Sequence, residues 1–533
     1  MTHPALRLTM LLLPAAILAA CGGGGTTTTP ESAAAPTVLL AAVQTDTAAG
    51  TAADSGAGSS GSAATTSAES AAVARSAATI APAPVPNDEG ASLTLSTSGP
   101  INTANPFFKP MGNGRACVSC HQVNNGMSIS PPNLLARFTS SNGTDPVFRV
   151  NDGATSPLAP VATLDQKRSA YSMLLNKGLI RVGLPMPAGA DFTLVKVDDP
   201  YKYASAKELS LFRRPLPSTN LKFASSVMWD GRETFADATS TTCIFNARPA
   251  LCFASINFDL RHQSNDAVRG HAEAAQDLSA LDQRAIVDFE KSLFTAQVSS
   301  KDAGDLTSAG ALAGTARLVG TNFYFGINDI DAGDYRSHAP FNRNVMTLFG
   351  AWRNLATPAP PRRGAPPPPP PSAQDQARAS IARGEQIFNN RPFNIVGVAG
   401  FNDDLRLPLQ RGTCASCHDT PNVGTQSVAR MFNTGVSNAQ RRTPDLPLYT
   451  LRNNSSGEVI ETTDPGAAML SGKWKDIGKV KVPSLRGIES RSPYFHDGSV
   501  DKIEDIVGFY DRRFRMGLTR QEVADLSAFL KAL

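Results

Sequence analysis

The sequence predicts a mainly α protein with two similar helical domains, the first enlarged by insertions, behind a disordered tether. Two Cys-x-x-Cys-His runs, at 117–121 and 414–418, give one candidate site to each half of the chain. Apolar residues recur at helical spacing on both sides of the second run. The segment from Gly22 to about Gly90 consists almost wholly of Ala, Gly, Ser, Thr and Pro, which cannot form a core.

The first 21 residues are typical of an export signal. A short head with Arg7 precedes an apolar run from Leu8 to Ala20, and small residues lie just before Cys21. This run is too short to cross the ~30 Å core of a bilayer as a helix. The ending Leu-Ala-Ala-Cys resembles the lipobox of bacterial lipoproteins, so we expect cleavage before Cys21, lipid on its sulfur and a periplasmic location. An ordinary cleaved signal with a spare thiol is the alternative.

Two low-complexity stretches divide the rest of the chain. Residues 22–95, rich in Ala, Gly, Ser and Thr, are predicted to be a disordered tether, and the proline-rich residues 357–373 a stiff linker. They leave two folded regions, 96–356 and 374–533. The formal net charge of +4 is small and scattered along the chain, which does not favour nucleic-acid binding.

The seven cysteines sort completely into the signal, the two runs and one further pair. Two thiols one short turn apart can form thioethers to the vinyl groups of a haem, and the adjacent imidazole then lies under the iron. A thioredoxin-like dithiol and half of a zinc site are the alternatives, although zinc needs further ligands that neither run has nearby. The sequence thus predicts two covalently bound haem c groups, held by Cys117, Cys120 and His121 and by Cys414, Cys417 and His418.

The remaining pair, Cys243 and Cys252, encloses a short loop. In an oxidising compartment a disulfide is the natural interpretation, worth about 2 to 3 kcal/mol through restriction of the unfolded chain. We treat this disulfide as structural.

Two amphipathic helices flank the second run. One precedes it, and the other opens with a capping box formed by Thr519 and Glu522. Their apolar stripes are Ala377, Ile381, Gly384 and Phe388, and Val523, Leu526, Phe529, Leu530 and Leu533. Two such helices can cross at the edge of a haem, so each folded region is predicted to be a cytochrome c-like haem domain.

Three further stretches carry a resemblance to a known family. They are "SVMWDGRE" at 226–233, "LRHQSNDAVRGHAE" at 260–273 and "KVPSLRGIESRSPYFHDGSV" at 481–500. With the two runs, they resemble the bacterial di-haem cytochrome c peroxidase and MauG superfamily. The resemblance implies an N-terminal haem that binds hydrogen peroxide and a C-terminal haem that receives electrons. It also implies a tryptophan between them, which matches Trp229.

The same resemblance implies two residues in the peroxide pocket. Gln263 would position the peroxide and Glu273 would move a proton between its oxygens, since O–O cleavage needs both functions. His271 is not part of the family pattern, and could be a second acid/base group, a ligand closing the haem at rest, or an exposed histidine. No histidine lies between His121 and His262, so the first haem is expected to have an open position.

The far-side ligand of the second haem is predicted by counting. The family ligand comes fourteen residues after the histidine of the Tyr-Phe-His-Asp-Gly stretch, which from His496 gives Tyr510. A tyrosine would lower the haem potential, whereas a methionine would raise it. His496 itself could be the ligand, which would resemble the rubber oxygenases, and Met469 and Met516 are further candidates.

Three arginines bear on the remaining ligands. The family binds calcium between its domains, but Arg214 stands at the matching asparagine position and Arg491 lies in the second segment, so calcium is doubtful here. Arg486 is predicted to pair with a haem propionate.

The expected function is that of an enzyme, a di-haem oxidoreductase that activates hydrogen peroxide with electrons from a small cytochrome c or copper protein. We expect contact with the membrane through the lipid anchor alone. A non-catalytic di-haem electron carrier and a dioxygenase resembling the rubber oxygenases are the alternatives.

Overall fold

The computed structural model describes residues 78–236, 252, 255–357 and 369–533. Several predictions therefore concern residues outside this description: the signal peptide with Cys21, the tether up to residue 77, Cys243 and most of the proline-rich linker. The described residues all fall in one compact unit.

Ten α-helices lie within the described residues. They are α1 Pro131–Ser141, α2 Leu164–Ala170, α3 Ser172–Lys177, α4 Ile256–Gly270, α5 Ala280–Ser292, α6 Thr315–Val319, α7 Ala373–Asn390, α8 Ala468–Ser471, α9 Ile503–Phe514 and α10 Arg520–Lys531. No described helix is long and apolar enough to pass through a membrane.

Fifteen short strands accompany the helices in the described part of the chain. They are β1 Thr79–Ile80, β2 Val85–Asn87, β3 Gly90–Ser96, β4 Ile101–Asn102, β5 Ile180–Leu184, β6 Phe192–Asp198, β7 Leu209–Arg213, β8 Leu293–Ser300, β9 Gly304–Asp305, β10 Phe393–Val396, β11 Leu409–Gly412, β12 Met431–Phe432, β13 Leu448–Asn453, β14 Val459–Thr462 and β15 Val480–Lys481. The larger sheets have the orders β2-β3-β8-β9 and β14-β13-β6, and four two-stranded sheets complete the set. The prediction of a mainly α fold is therefore met only in part.

The end of the predicted tether is ordered, which corrects its boundary at residue 95. Strand β3 pairs antiparallel with β8 from Gly90↔Ser300 to Ser96↔Leu293. The side chains of Thr94 and Thr295 bond to each other at 2.8 Å in this buried pairing. The composition of 79–95 gave no sign of a strand because its partner is some two hundred residues away along the chain.

The two predicted helices beside the second run do cross. Gly384 of α7 lies against α10, where an added Cβ would stand 2.0 Å from the Asp525 carbonyl oxygen. Their apolar residues, Ile381 and Phe388 with Leu526, Phe529 and Leu533, share one buried cluster. The predicted capping box of Thr519 and Glu522 is confirmed at the start of α10.

The two halves of the chain also share a sheet. Strand β6, from the first half, pairs along its length with β13 from the second, from Leu448↔Asp198 to Asn453↔Phe192. Division into two haem domains at the linker therefore stays a prediction, whereas the halves meet through continuous hydrogen bonding.

Candidate functional site

Both Cys-x-x-Cys-His runs have the same local structure. Cys117–Ser119 and Cys414–Ser416 are single turns of 3₁₀ helix. In each run the main-chain N–H of the histidine donates to the carbonyl oxygen of the first cysteine, at 3.0 Å for His121 and 3.1 Å for His418. The backbone therefore holds each imidazole beside its two thiols.

The ring nitrogens of the two histidines are also arranged alike. His121 Nδ1 lies 3.3 Å from the Met127 carbonyl oxygen, and His418 Nδ1 lies 2.6 Å from that of Gly424. Since a carbonyl oxygen only accepts, Nδ1 carries the hydrogen and Nε2 keeps its lone pair. Burial lowers the pKa of both imidazoles, to about 4 for His121, although this hydrogen bond acts to raise it. Each histidine is thus in the neutral form that binds a metal.

The four cysteines of the runs do not resemble a redox dithiol. None of them is in a disulfide. Burial raises the pKa of all four thiols, to about 12 for Cys117 and Cys414. A reactive dithiol needs a lowered thiol pKa, so the thioredoxin-like alternative loses its support.

A cavity lies beside each run. The first cavity is lined by Cys117, Cys120 and His121, and the second cavity by Cys414, Cys417 and His418. They enclose 1600 Å³ and 1610 Å³, part of it open to solvent. Their mostly apolar linings suit a large planar cofactor.

The two cavities share a wall. The residues that line both are Arg214, Pro215, Leu216, Pro217, Trp229, Lys481, Pro483, Ser484 and Arg491. In this wall, Trp229 donates its Nε1–H to the Arg214 carbonyl oxygen at 2.7 Å. Its ring centroid is 6.1 Å from that of His496, which lines the second cavity. Trp229 is therefore part of the partition between the cavities.

The shared wall is cationic. Burial lowers the pKa of Arg214 and Arg491 to about 10 and that of Lys481 to about 8, and no carboxylate contributes to any of these shifts. Cations held away from water without a counter-charge are costly. The wall thus fits a group that brings negative charge, as the propionates of two haem groups would.

Arg486, the predicted propionate partner, lies behind this wall. It is 1% exposed, and its Nη2 donates to the Gly314 carbonyl oxygen at 3.4 Å. Its Nε has no partner within the described residues, and Arg486 lines neither cavity. Its role stays a prediction, whereas Arg214, Lys481 and Arg491 line both cavities.

Two of the predicted pocket residues line the first cavity. Gln263, on α4, and His271, just after α4, both line the cavity. His271 Nδ1 lies 2.5 Å from Oδ2 of the buried Asp152, whose Oδ1 accepts from Arg115 Nη1 at 2.5 Å. Although burial opposes it, the hydrogen bond from His271 and the nearby positive charges lower the pKa of Asp152. The carboxylate fixes the imidazole with Nε2 as its free nitrogen.

Glu273 is not brought together with these residues. The chain turns at Glu273 with a left-handed φ of 52°, and its exposed carboxylate accepts from Asn113 Nδ2 at 2.8 Å. It is absent from the lining of the first cavity. The predicted ten-residue step from Gln263 therefore ends on the surface, while His271 faces the cavity.

The candidate ligands of the second cavity differ in their partners. Tyr510, Met516 and His496 all line it, whereas Met469 packs in a separate apolar cluster with Phe192. The Tyr510 side chain bonds to Thr434, and burial raises its pKa to about 12. His496 is 1% exposed, its Nε2 lies 3.4 Å from Ser437 Oγ, and its Nδ1 has no partner in the described chain. The unpartnered nitrogen distinguishes His496 from Tyr510.

Two residues that line the first cavity had no signal in the sequence. Asp152 lies in a loop 119 residues before its partner His271. Glu290, on α5, lines the first cavity. Burial raises its pKa to about 7, although a hydrogen bond with Ser218 acts to lower it. Neither residue stands in a recognisable motif, so only the tertiary contacts identify them.

Two smaller observations complete the comparison with the sequence. Cys252 is disulfide-bonded, and its predicted partner Cys243 lies outside the described residues. Glu233, His262 and Asp266 are close enough to share a metal ion, and this group of the described residues includes none of the run cysteines. The zinc alternative for the two runs therefore gains no support.

Comparison with known proteins tests the family resemblance. No family model matches the chain. Cytochrome-c peroxidase IdrP1 of Denitromonas iodatirespirans is 32% identical over 143 residues, covering 22% of this chain and 36% of that protein. IdrP1 of Pseudomonas sp. (strain SCT) is 28% identical over 157 residues, 26% of this chain and 38% of its own. Cytochrome c551 peroxidase of Nitrosomonas europaea is 32% identical over 121 residues, 22% of this chain and 30% of its own.

These matches span between 30% and 38% of the length of the curated relatives. Among solved structures, a MauG-like protein associated with microbial copper homeostasis has a TM-score of 0.26 at 14% identity, covering 74% of this chain and 89% of its own. Hydrazine synthase of Kuenenia stuttgartiensis has a TM-score of 0.27 at 13% identity, with coverages of 76% and 93%. The sequence matches confirm the resemblance to the cytochrome c peroxidases over about a quarter of this chain.

Proposed function

We propose that the protein is a di-haem c-type oxidoreductase that reduces hydrogen peroxide in the first cavity with electrons relayed from the second. The observation that carries the proposal is the arrangement of two like Cys-x-x-Cys-His sites across one wall that contains Trp229. The printed names of the relatives, cytochrome-c peroxidases, support the same reaction class.

A haem bound to His121 would supply the iron at which the O–O bond is reduced, in the overall reaction H₂O₂ + 2 e⁻ + 2 H⁺ → 2 H₂O. The protein must then orient the peroxide and move its proton. The amide of Gln263 can hold one peroxide oxygen by a hydrogen bond. We assign the proton transfer to His271 because it lines the cavity and Glu273 does not.

His271 is suited to this role by its partner. Asp152 holds Nδ1, so Nε2 would be free to accept a proton from one peroxide oxygen and to give it to the other oxygen, which leaves. The product of that second transfer is water. Glu273, which the resemblance implied for this step, is in our proposal a surface residue held by Asn113.

Electrons would enter at the second haem from a small cytochrome c or copper protein. We propose that His418 and His496 would hold the iron of the second haem, because a metal would give the buried Nδ1 of His496 the partner it lacks. Tyr510 remains the alternative ligand, and Arg491 and Lys481 would pair with propionates. Calcium is not part of the proposal, since Arg214 and Arg491 already supply positive charge at the wall.

The compartment belongs to the proposal as well. Covalent haem attachment and the predicted signal ending at Cys21 both support a lipid-anchored periplasmic protein. The identity of the donor protein is not part of the proposal.

The test is peroxide-dependent oxidation of a reduced cytochrome c by the holoprotein. We expect turnover by the wild type, a loss of about 10²- to 10⁴-fold in His271→Gln, and near wild-type turnover in Glu273→Gln. Both variants should keep two haem groups by absorbance. A loss of turnover in Glu273→Gln, with normal turnover in His271→Gln, would show that Glu273 and not His271 transfers the proton.

Two other functions are separated by simple observations. A non-catalytic carrier requires six-coordinate iron at both sites, so a high-spin haem that binds cyanide argues against it. The unpartnered His496 nitrogen is the observation that favours a dioxygenase of the rubber-oxygenase kind. That function predicts oxygen uptake with polyisoprene and no dependence on peroxide.

A further inference from the structure

The guanidinium of Arg214 lies in a site made of main-chain carbonyls. Nη1 donates to the Lys177 oxygen at 2.7 Å, and Nη2 is 2.9 Å from the Ile129 oxygen. Nη2 also reaches the oxygens of Arg491 and Ser492, at 3.3 and 3.4 Å. The four acceptors come from both halves of the chain, so one buried cation joins these halves.

The surrounding chain is shaped for this group. Gly178, the residue after α3, has a φ of 61°, and a Cβ there would stand 2.4 Å from Arg214 Nη1. The Lys177 carbonyl is at the C-terminal end of α3, where a positive charge is favoured. Arg214 itself is 5% exposed. Carbonyl dipoles therefore stabilise this charge, and no carboxylate pairs with it.

The backbone of the same residue holds two of the proposed redox residues. The Arg214 N–H donates to the His496 carbonyl oxygen at 2.7 Å, and the Arg214 carbonyl accepts Trp229 Nε1–H at 2.7 Å. Trp229 belongs to the first half of the chain and His496 to the second. Any shift of Arg214 is thus passed to the Trp229 ring and to the His496 backbone, and the two ring centroids are 6.1 Å apart.

We propose that Arg214 is a positioning residue: its guanidinium is the built-in cation of the carbonyl site, and it fixes Trp229 relative to His496 across the wall. The part of this proposal that concerns electron relay rests on the proposed function. The part that places a guanidinium in the carbonyl site is independent of that function.

The experiment is chemical rescue of Arg214→Ala holoprotein. Low millimolar guanidinium or methylguanidinium should enter the emptied site and raise the unfolding temperature saturably, while sodium at equal ionic strength does not. The same additive should restore peroxide turnover, which we expect the substitution to lower on the order of a hundredfold through misplacement of Trp229. The wild type should respond to neither salt.

Arg378→Ala is the matched control. Arg378 also joins the halves through a carbonyl, donating to the Ala303 oxygen at 3.0 Å, but it lines neither cavity. Its loss should lower the unfolding temperature while turnover stays within about twofold of the wild type.

Three outcomes would overturn the proposal. They are an Arg214→Ala protein that behaves as wild type, equal effects of guanidinium and sodium on it, and a rescued unfolding temperature without rescued turnover in an active enzyme. If the wild type itself shows no peroxide turnover, the proposed function fails, while the thermal rescue still tests the carbonyl site. A variant too unstable to purify is replaced by Arg214→Lys, which should retain part of both properties.

Discussion

His271 Nδ1 and Asp152 Oδ2 lie 2.5 Å apart, although 119 residues of sequence separate them. Three further hydrogen bonds hold the same turn, since the His271 carbonyl oxygen accepts from Arg115, Asn113 and Asn151. The imidazole is therefore fixed from both its ring and its backbone. This pairing gives the first cavity an oriented histidine where the family resemblance implied a glutamate.

The first prediction concerns Asp152. Asp152→Asn keeps the size of the side chain but removes the charge that orients His271 and pairs with Arg115. We expect peroxide turnover to fall by about 10- to 100-fold, the usual cost of losing such a partner, with both haem groups retained. Asp198→Asn, which breaks a pair with Arg442 whose residues line neither cavity, is the control and should be nearly silent. Equal effects of the two substitutions would contradict the orienting role.

The second prediction is a pH dependence of stability caused by Glu290. Burial raises the pKa of Glu290 from 4.5 to about 7, so the folded protein binds this proton more tightly than the unfolded chain. The stabilisation is complete below pH 4.5 and is lost as the pH rises through about 7. Relative to Glu290→Gln, the free energy of unfolding of the wild type should fall by about 3 kcal/mol between pH 5 and 8.

Denaturant unfolding of the holoproteins at the two pH values measures this difference. The other buried carboxyls with raised pKa values are present in both proteins and cancel. Glu458→Gln, at an exposed position, should show the same change in the free energy of unfolding with pH as the wild type. A difference that stays constant with pH would show that Glu290 does not titrate in this range.

The third prediction separates the candidate ligands of the second haem. His496→Ala should convert a low-spin signal into a high-spin one in the absorption and paramagnetic resonance spectra of the oxidised protein, because the iron loses its sixth ligand. Tyr510→Phe keeps the ring and removes only the hydroxyl that bonds to Thr434, so the spectrum should not change. The opposite pattern would identify Tyr510 as the ligand.

The fourth prediction tests the crossing of α7 and α10. Gly384→Ala places a methyl group 2.0 Å from the Asp525 carbonyl oxygen, and the helices must separate. We expect a loss of about 1 to 3 kcal/mol in the free energy of unfolding. At Gly508 of α9 the nearest atom is the mobile end of Arg512, at 3.2 Å, so Gly508→Ala should be neutral or stabilising. Thermal unfolding of the two variants compares them directly.

The sequence was most informative where structure depends on near neighbours. The two runs, the capping box of α10 and the apolar stripes of α7 and α10 all involve residues within a few turns of each other. The boundary of the tether was wrong for the opposite reason, because β3 is stabilised by a strand distant in sequence. The small sheets between the halves were likewise not predicted.

The sequence by itself determined which candidates for chemistry the protein carries: two Cys-x-x-Cys-His runs, a set of candidate ligands and a resemblance to the cytochrome c peroxidases. Only the tertiary structure decided which candidates reach a cavity. A left-handed turn directs Glu273 to the surface, while Asp152 holds His271 at the cavity. Such choices depend on contacts across more than a hundred residues, and residue spacing along the chain contains no record of them.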